Sequence, residues 1–468
     1  MNNSYSTKNY LRLISSISLL TLYVTCVSGC SKDTAAVTPT NPTGINKINH
    51  VIVIYMENHS FDNLYGTFPG ANGWANATAA QSTQIDTATG YAYTTLPWSD
   101  TSFHPIPSLP NKPYDIGVLK SIGDPTRDLV HRYYQEQIQI DGGKMDKFAT
   151  ISDAKGLSMG YYQTAQLPMY PIVQQFTLCD NFYHSAFGGS FLNHIFLIAA
   201  APPQFPGAPS AIVAKGLDAN GKLIGDGQVA SDGVSGINTS FTVNNPHPAA
   251  STNPASSTFP ANLFPNQTMP TIGDRLNDKS VTWAWYSGGW NNALAGNAGS
   301  LFQFHHQPFA FFANYADGKQ AKADHLKDET DFDAAVAAGT LPSVSFLKPY
   351  GIDNEHPGYT DVMTGDNYLA AKIKTIQASS IWKDCVIIIT YDEHGGFWDH
   401  VAPPTIDKWG PGARVPGIII SPFAKTGFVD HTQYETVSIL AFIEKRWGLT
   451  PLGSRDQAAN PFSNAFTF

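Results

Sequence analysis

Four hydrophobic segments of the sequence are each followed by side chains that can bind a cation or transfer a proton. The segments span residues 50–55, 175–179, 341–347 and 385–391, and their apolar, β-branched character indicates buried strands. In an open α/β sheet, ligands bind at the carboxyl ends of the strands, so these polar side chains are predicted to meet at one edge. They are Glu57, Asn58, Ser190, Asn193, His356, Asp392 and Glu393.

Carboxylate and amide oxygens form a hard, oxygen-rich set of metal ligands. Glu57, Asn58, Asp392 and Glu393 therefore suit one divalent cation, with Ca²⁺, Mg²⁺, Mn²⁺ and iron all left open. Such a cation would lower the pKa of a nearby hydroxyl and bridge a phosphoryl oxygen. Solvated polar turns are the alternative explanation, but four of them at one sheet edge favour a metal-assisted hydrolytic site.

Ser190 is the candidate nucleophile. It follows Gly188-Gly189 and precedes an apolar helical run, 191–200, which places it at a predicted helix start. The N–H groups and the dipole at a helix N-terminus attract an anion. A serine hydroxyl is a weak nucleophile until a base or a metal activates it. In-line attack would give a phosphoserine, a histidine would protonate the leaving oxygen, and water would release phosphate.

The elements that must position these residues indicate an α/β fold. Segments 281–286 and 414–421 also have the character of buried strands. Helical patterns lie between the strands, and they cover 193–200, 366–380 and 434–447. Strands that alternate with helices predict a mostly parallel central sheet flanked by helices on both faces.

The charge balance argues against a nucleic-acid partner. The 468 residues include 28 Lys and Arg against 37 Asp and Glu, a formal net charge of −9. No basic run is present, and binding to nucleic-acid phosphates requires clusters of Lys or Arg. A small phosphate ester is the expected substrate.

The first 29 residues are predicted to be a lipoprotein signal peptide. A start with Lys8 and Arg12 precedes an apolar stretch, 13–27, and the small residues Ser28-Gly29 precede Cys30. This pattern resembles a bacterial lipobox with Cys30 as the lipidated residue. An ordinary signal peptide cut nearby is the alternative. The protein is therefore expected to be exported and held on a membrane of the bacterial cell envelope, periplasmic or outer, by a lipid anchor.

The remaining chain divides into a tether and one catalytic domain. Residues 30–46 are rich in Thr, Pro, Asn and Ala, which is typical of a flexible tether. Residues 47–468 are predicted to be the catalytic domain. Within it, residues 202–265 are rich in Pro, Gly, Asn, Ser and Thr and are predicted to form a loop-rich insertion over one end of the sheet.

Two cysteines, Cys179 and Cys385, belong to the predicted catalytic domain. A disulfide between them is one possibility in an exported protein. Both lie in strand segments, where small buried thiols are common, and this favours free cysteines.

Two long motifs resemble a bacterial phosphoesterase family that contains acid phosphatases and phospholipases C. Glu57-Asn58-His59-Ser60-Phe61-Asp62 resembles its E-N-x-S-F-D signature, and the block 391–404 resembles Y-D-E-H-G-G-F-x-D-H-V-x-P-P. Segments 355–357 and 414–422 also match. The order and spacing agree over nearly the whole predicted domain, and the resemblance implies the fold of the alkaline phosphatase superfamily.

The resemblance also implies a role for each matching residue. Ser190 takes the place of the nucleophile, and the phosphate pocket would be lined by Asn193, His306 and His356, with the two histidines catalytic. The implied metal ligands are Glu57, Asn58, Ser190, Asp392 and Glu393. His131 is expected to contact substrate, whereas the role of His104 stays open. His394, Asp399 and His400 are expected to support the site or to bind a structural ion, and Asp62 is expected to cap the following turn and orient the residues of the site.

One departure from the family pattern bears on the substrate. The phospholipase branch carries Thr followed by Trp-Pro-Asn-Arg, whereas this chain has Ser190-Phe-Leu-Asn-His194. The segment is more similar to the acid phosphatase branch. We therefore expect an acid phosphatase that cleaves phosphomonoesters. A phospholipase C or another phosphodiesterase is the first alternative, and a ligand-binding surface lipoprotein without turnover is the second.

Overall fold

An eight-stranded sheet forms the centre of the computed structural model, which describes residues 42–100, 103, 106–205, 216–217, 223–225, 247–248 and 263–468. In chain order the strands are β1 (His50–Met56), β2 (Thr177–Cys179), β3 (Trp283–Ser287), β4 (Leu326–Asp328), β5 (Val344–Lys348), β6 (Cys385–Tyr391), β7 (Gly417–Ile420) and β8 (Phe428–Asp430). All six predicted strand segments contribute to this sheet, and the short strands β4 and β8 were not predicted.

The sheet is mostly parallel, as predicted. Its order is β4-β3-β5-β1-β6-β7-β2-β8. β1 lies in the middle and pairs in parallel with β5 on one side and β6 on the other. Seven strands run in one direction, and the eighth, β7, runs antiparallel to both of its neighbours, β6 and β2.

The reversal of β7 has a physical reason in its connection. Residues 392–416 contain no helix, and Gly417 pairs with Thr390 at the end of β6 from which this connection leaves. A parallel pairing would need a long crossover connection that returns to the opposite end of the strands. The strand predicted at 414–421 therefore runs opposite to the other predicted strands. It is also shorter than predicted, since β7 covers only Gly417–Ile420.

The central strands are covered on both faces. Every residue of β6 is buried, and so is every residue of β1 after His50. Successive side chains of a strand point to opposite faces, so continuous burial requires packing on both sides of the sheet. The isoleucine and valine runs of these strands meet that requirement, because their branched side chains pack well on a pleated surface.

Helices flank the sheet. In chain order the α-helices are α1 (Phe61–Tyr65), α2 (Ala79–Ser82), α3 (Tyr133–Ile140), α4 (Phe148–Ile151), α5 (Tyr170–Val173), α6 (Ser190–Ala199), α7 (Ile272–Asp278), α8 (Trp290–Leu294), α9 (Gln320–His325), α10 (Glu329–Ala338), α11 (Val362–Ala378), α12 (Thr436–Trp447) and α13 (Ser454–Ala458). Three of them, α6, α11 and α12, correspond to the predicted helices. The helix α11 begins earlier than predicted because the Asp361 side chain accepts a hydrogen bond from the Thr364 N–H and caps it.

Several predictions fall partly or wholly outside the described residues. The signal peptide, most of the tether, Cys30 and His104 lie outside them. Within the predicted insertion, the described residues form the short strands Gly216–Leu217, Leu223–Gly225, His247–Pro248 and Leu263–Phe264. In the part of the chain that the structure describes, no helix combines the length and apolar character needed to cross a bilayer.

The two cysteines of the domain are free thiols. Cys179 and Cys385 are buried on β2 and β6, and β7 lies between these strands. Burial, the largest cause, raises the pKa of both thiols. The alternative of a disulfide is therefore not realised in this structure.

Two carboxyl groups are buried together beneath the site-bearing edge of the sheet. Asp366 of α11 accepts a hydrogen bond from the Met169 N–H, and Glu355 accepts one of 2.7 Å from the Tyr391 hydroxyl. Burial raises the pKa of Asp366 to about 7, and burial together with Asp366 raises the pKa of Glu355. The folded protein therefore keeps a proton that the unfolded chain releases near pH 4.

This pair predicts a pH-dependent loss of stability. Because the folded state binds more protons than the unfolded state, the free energy of unfolding falls as the pH rises from about 4 to about 7. Asp366→Asn should remove this loss, so its melting temperature should exceed that of the wild type by several degrees at pH 8 and by little at pH 5. Asp278→Asn, at a side chain that is 67% exposed, is the matched control. Equal differences in melting temperature at the two pH values would contradict the prediction.

Candidate active site

The carboxyl ends of β1 and β6 carry the acidic residues of the site. Met56 pairs with Tyr391 at the ends of these strands, and the Asp392 N–H donates to the Met56 carbonyl at 3.0 Å. Glu57-Asn58 and Asp392-Glu393 therefore leave the sheet side by side. All four side chains are buried.

Glu57 is surrounded by positive and potentially positive groups. Its Oε1 lies 2.7 Å from Lys348 Nζ and 2.7 Å from His306 Nε2. Its Oε2 accepts a hydrogen bond of 3.3 Å from the Ser190 hydroxyl and lies 3.7 Å from His356 Nε2. Burial opposes ionisation of Glu57, but the charges of Lys348 and His306 outweigh it and hold the pKa of Glu57 well below its ordinary value.

Asn58 and Glu393 form a second pair at the same edge. The Asn58 amide donates to Glu393 Oε1 at 2.7 Å, and Glu393 Oε2 accepts from the Gly395 N–H at 2.7 Å. His131 Nε2 lies 3.6 Å from Glu393 Oε1. Burial works against protonation of His131, but Glu393 and Asp128 outweigh it and raise the pKa of His131 to about 9.

Asp392 has one oxygen without a hydrogen-bond partner. Its Oδ1 accepts from the Glu393 N–H at 2.8 Å, whereas the buried Oδ2 has no partner and lies 3.8 Å from His194 Nδ1. Burial and the neighbouring Glu57 raise the pKa of Asp392 well above its ordinary value. The isolated oxygen is thus one that a cation would stabilise.

These residues fit a hard divalent cation. The buried oxygens Asn58 Oδ1 and Asp392 Oδ2 both lack a partner. When ionised, Glu57, Asp392 and Glu393 carry three negative charges, and the positive charges of Lys348 and of protonated His131 leave one of them uncompensated. Buried charges without a partner are costly, and oxygen ligands favour Ca²⁺, Mg²⁺ or Mn²⁺. The group Glu57, His194 and His306 could also contribute ligands, which keeps iron open.

Ser190 is the first residue of α6, at the helix start where the sequence predicted it. Gly189 precedes the helix in extended conformation, and Gly188 has a φ of +84°. A Cβ at Gly188 would lie 2.4 Å from the Tyr133 nitrogen, so both the conformation and the space require glycine. Ser190 is 8% exposed, more than Glu57, Asn58, Asp392 or Glu393.

Asn193 holds the loop that precedes Ser190. Its amide nitrogen donates to the carbonyls of Ala186 and Gly188 at 2.9 and 3.2 Å, and its oxygen accepts from the Ala186 N–H. The side chain is fully buried. The predicted contact of Asn193 with substrate stays a prediction, and the contacts observed are those of a residue that holds the loop before Ser190 in place.

The histidines differ in their access to the site. His306 is 2% exposed, and burial and the charge of Lys348 lower its pKa to about 4. His356 is 6% exposed, stacks on Tyr359 at a ring separation of 4.0 Å, and donates from Nδ1 to the Pro357 carbonyl. This bond leaves His356 Nε2 directed at Glu57. His194 stacks on His306 and donates from Nδ1 to the Ser190 carbonyl at 2.7 Å.

Asp62, Asp399 and His400 form a supporting network around a buried arginine. Arg414 Nε donates to Asp399 Oδ1 at 2.8 Å, and its Nη2 donates to Asp62 Oδ1 at 3.2 Å. His400 Nδ1 lies 2.6 Å from Asp62 Oδ2. Arg414 thus joins the acids of both motifs, and Asp62, Asp399 and His400 are also close enough together to hold an ion, so the structural ion stays a prediction.

Sequence reasoning missed Lys348 and Glu136, and it assigned no role to His184. Lys348 is the last residue of β5, so the rule of polar residues at strand ends would have found it. His184 Nε2 and Glu136 Oε1 lie 2.9 Å apart in the interior. Glu136 is in a helix far from any recognised motif, and no signal in the sequence pointed to it.

The model of the Phosphoesterase family matches residues 48–450. The chain therefore belongs to the Phosphoesterase family, as its motifs predicted, and it is a hydrolase that acts on phosphoric ester bonds.

Similar proteins include bacterial phospholipases C. Phospholipase C A of Mycobacterium tuberculosis is 24% identical over 471 residues, which cover 91% of this chain and 78% of that protein. The non-hemolytic phospholipase C of Pseudomonas aeruginosa is 23% identical over 450 residues, covering 86% of this chain and 54% of that protein. A solved structure of an alkaline phosphatase superfamily protein from Vibrio parahaemolyticus matches 64% of each chain with 11% identity and a TM-score of 0.35. The fold assignment rests on the sheet described above, since a TM-score this low adds no argument.

The ligand set predicts how the protein responds to metal removal and to loss of one carboxylate. Complete removal of metal, verified by elemental analysis, should abolish ester hydrolysis. Asp392→Asn should weaken the binding of Mn²⁺ or Ca²⁺ at least tenfold in equilibrium dialysis, because the ligand charge sets the affinity of such sites. Asp278→Asn is again the control. Unchanged affinity in Asp392→Asn would remove Asp392 from the ligand set.

Proposed function

We propose that the protein is a metal-dependent phosphatase that cleaves phosphomonoesters through a phosphoserine at Ser190. The observation that carries the proposal is the position of the Ser190 hydroxyl. It lies at the N-terminus of α6 and donates at 3.3 Å to Glu57, beside the acids that follow β1 and β6. A nucleophile, an acceptor for its proton and an anion-binding helix end therefore converge at one point.

Each step of the proposed reaction uses a residue of this site. Ser190 Oγ attacks phosphorus while the bond to the leaving oxygen breaks, and its proton passes along the hydrogen bond to Glu57 Oε2. Glu57 is a weak base, so this transfer depends on a bound cation, which would lower the pKa of the hydroxyl. The positive end of the dipole of α6 lies at Ser190, and it favours the binding of the phosphoryl oxygens there. A bound cation supplies further stabilisation of negative charge on the phosphoryl group.

His356 is the proposed general acid. It is more exposed than His306, and its Nε2 points toward Glu57 and Ser190. It would protonate the leaving oxygen and then take a proton from the water that hydrolyses the phosphoserine. His306, which has a lowered pKa and directly contacts Glu57 Oε1, instead orients this carboxylate. The catalytic role expected for His306 thus becomes a positioning role in the proposal.

Phospholipase C activity is the second candidate. The names of the relatives from M. tuberculosis and P. aeruginosa favour it. The segment from Ser190 to His194 favours the monoesterase, because it departs from the phospholipase pattern at the nucleophile and at His194. A ligand-binding protein without turnover has no support, since the chain belongs to a family of hydrolases.

The location of the protein is also a proposal. The lipidation of Cys30 and the resulting anchor in the cell envelope rest on the sequence of residues 1–30 alone. The division into a tether and a catalytic domain with an insertion at 202–265 rests on sequence composition in the same way.

A comparison of two chromogenic esters decides between the candidates. The kcat/KM for p-nitrophenyl phosphate should exceed that for p-nitrophenylphosphorylcholine at least tenfold, because the proposed pocket binds a phosphoryl group with one ester oxygen. The metal-loaded full-length protein is assayed with both esters under the same conditions. A preference for the choline diester would replace the phosphatase with a phospholipase C.

Ser190→Ala should lower the kcat for the preferred ester at least a thousandfold without changing the melting temperature. Loss of the nucleophile raises the barrier by several kcal/mol, and each 1.36 kcal/mol corresponds to about a tenfold change in rate. Ser345→Ala is the matched control, since Ser345 is buried in β5 and its hydroxyl has no partner. A kcat of Ser190→Ala above roughly a hundredth of the wild-type kcat would exclude the phosphoserine mechanism, because the barrier would then have risen by less than about 3 kcal/mol.

A further inference from the structure

Glu136 is a fully buried carboxylate that none of the recognised motifs contains. It lies in α3 and accepts three hydrogen bonds from two separate parts of the chain, the loop that precedes Ser190 and the segment that precedes β7. The Gly188 N–H donates to its Oε2 at 2.6 Å, and the Ala413 N–H donates to its Oε1 at 2.8 Å. His184 Nε2 donates to Oε1 at 2.9 Å. Such bonds to an ionised carboxylate are stronger than bonds between neutral groups.

The bond from Gly188 links Glu136 to the proposed nucleophile. Gly188 lies two residues before Ser190, and its carbonyl accepts from the Asn193 amide. Both polar groups of Gly188 are therefore held, one by Glu136 and the other by Asn193. Since α6 begins at Ser190, the direction in which this helix enters the site depends on these bonds.

His184 holds the same loop at a second point. Its Nδ1 donates to the Ala186 carbonyl at 2.7 Å, while its Nε2 donates to Glu136. A ring that donates from both nitrogens is an imidazolium. The charge of Glu136 outweighs burial and raises the pKa of His184, and His184 in turn lowers the pKa of Glu136 to about 2.

The cluster also reaches the acids at the end of β6. His394 stacks on His184 with the rings 5.5 Å apart, and its Nδ1 lies 3.4 Å from Glu393 Oε2. Glu136, His184 and His394 therefore lie between the nucleophile loop and a predicted metal ligand. The same three residues could instead coordinate an ion. The hydrogen bonds favour a carboxylate that organises backbone, because both oxygens of Glu136 already accept from N–H groups.

We infer that Glu136 is a positioning residue that fixes the loop 186–189 and thereby aims the Ser190 hydroxyl at the phosphorus atom. The inference rests on the proposed role of Ser190. Glu136 does not contact substrate, and it acts through the Gly188 N–H and through His184. Loss of its charge leaves the loop with weaker bonds, so Ser190 spends less time in the attacking position.

The test compares Glu136→Gln with Glu444→Gln, the same change at a buried glutamate near the end of α12. Glu136→Gln should slow the formation of phosphoserine from p-nitrophenyl phosphate 10- to 100-fold, with KM changed less than threefold. Hydrogen exchange at the amides of residues 186–190 should become faster. Glu444→Gln should change neither quantity. Metal content by elemental analysis should equal that of the wild type in both variants.

Each other outcome overturns the inference. A loss of activity in proportion to the loss of folded protein would show a merely structural role. Loss of one equivalent of metal in Glu136→Gln would show that the cluster is a metal site.

A second variant is used if Glu136→Gln does not fold. His184→Gln keeps a donor toward Glu136 but loses the hydrogen bond to Ala186, so it should show the same effects severalfold weaker. Wild-type protein that cleaves neither ester would refute the proposed function, and unchanged exchange at residues 186–190 would still refute this inference.

Discussion

The burial of three carboxyl groups at the carboxyl ends of two adjacent strands is the constraint on which the rest of the site depends. Glu57, Asp392 and Glu393 have essentially no contact with solvent. An ionised carboxylate in the interior is stable only when other charges and hydrogen bonds replace its lost hydration. The structure supplies part of this compensation through Lys348, the histidines and Asn58. A cation bound at Asn58 Oδ1 and Asp392 Oδ2, the two oxygens without hydrogen-bond partners, would supply the remainder.

This constraint explains why so many residues near the site do not contact the presumed substrate position. Arg414 is fully buried, and its positive charge forms ion pairs with Asp62 and Asp399. These ion pairs hold the two loops that carry the motifs together. His184 compensates Glu136 in the same way. Removing one partner of such a pair leaves an uncompensated buried charge, typically at a cost of about 3–5 kcal/mol. The charged residues of the motifs thus have two kinds of position. Glu57, Asp392 and Glu393 lie at the site, whereas Asp62 and Asp399 hold the loops around it.

Ser190, the proposed nucleophile, is positioned by backbone geometry as much as by side chains. Gly188 adopts a left-handed conformation in a space that admits no Cβ. The Asn193 amide donates hydrogen bonds to the carbonyls of the preceding loop. The hydroxyl of Ser190 is thereby presented at the first turn of α6, opposite Glu57. The rigid sheet and the rigid helix end meet at this point, which suits a reaction whose rate depends on alignment.

Much of this arrangement was determined by local sequence. The β-branched runs before Glu57 and Asp392 specify buried strands because no other common element accommodates them so well, and the polar residues that follow mark the edge where ligands bind. The position of Ser190 at a helix start also followed from Gly188-Gly189 and the apolar run after it. These features depend on neighbours in the chain, so a reading of the sequence could find them.

The tertiary structure decided which charges compensate each other. Lys348 reaches Glu57 only because β5 pairs with β1, and Glu136 reaches Gly188 only because α3 packs beside the nucleophile loop. The direction of β7 was likewise set by a helix-free connection that returns to the edge it left. Pairings between distant segments depend on the packing of the whole domain, and the residues that make them carry no local pattern. The sequence therefore determined the strands, the helix start at Ser190 and the acids, while the fold alone determined the partners that make the burial of these acids stable.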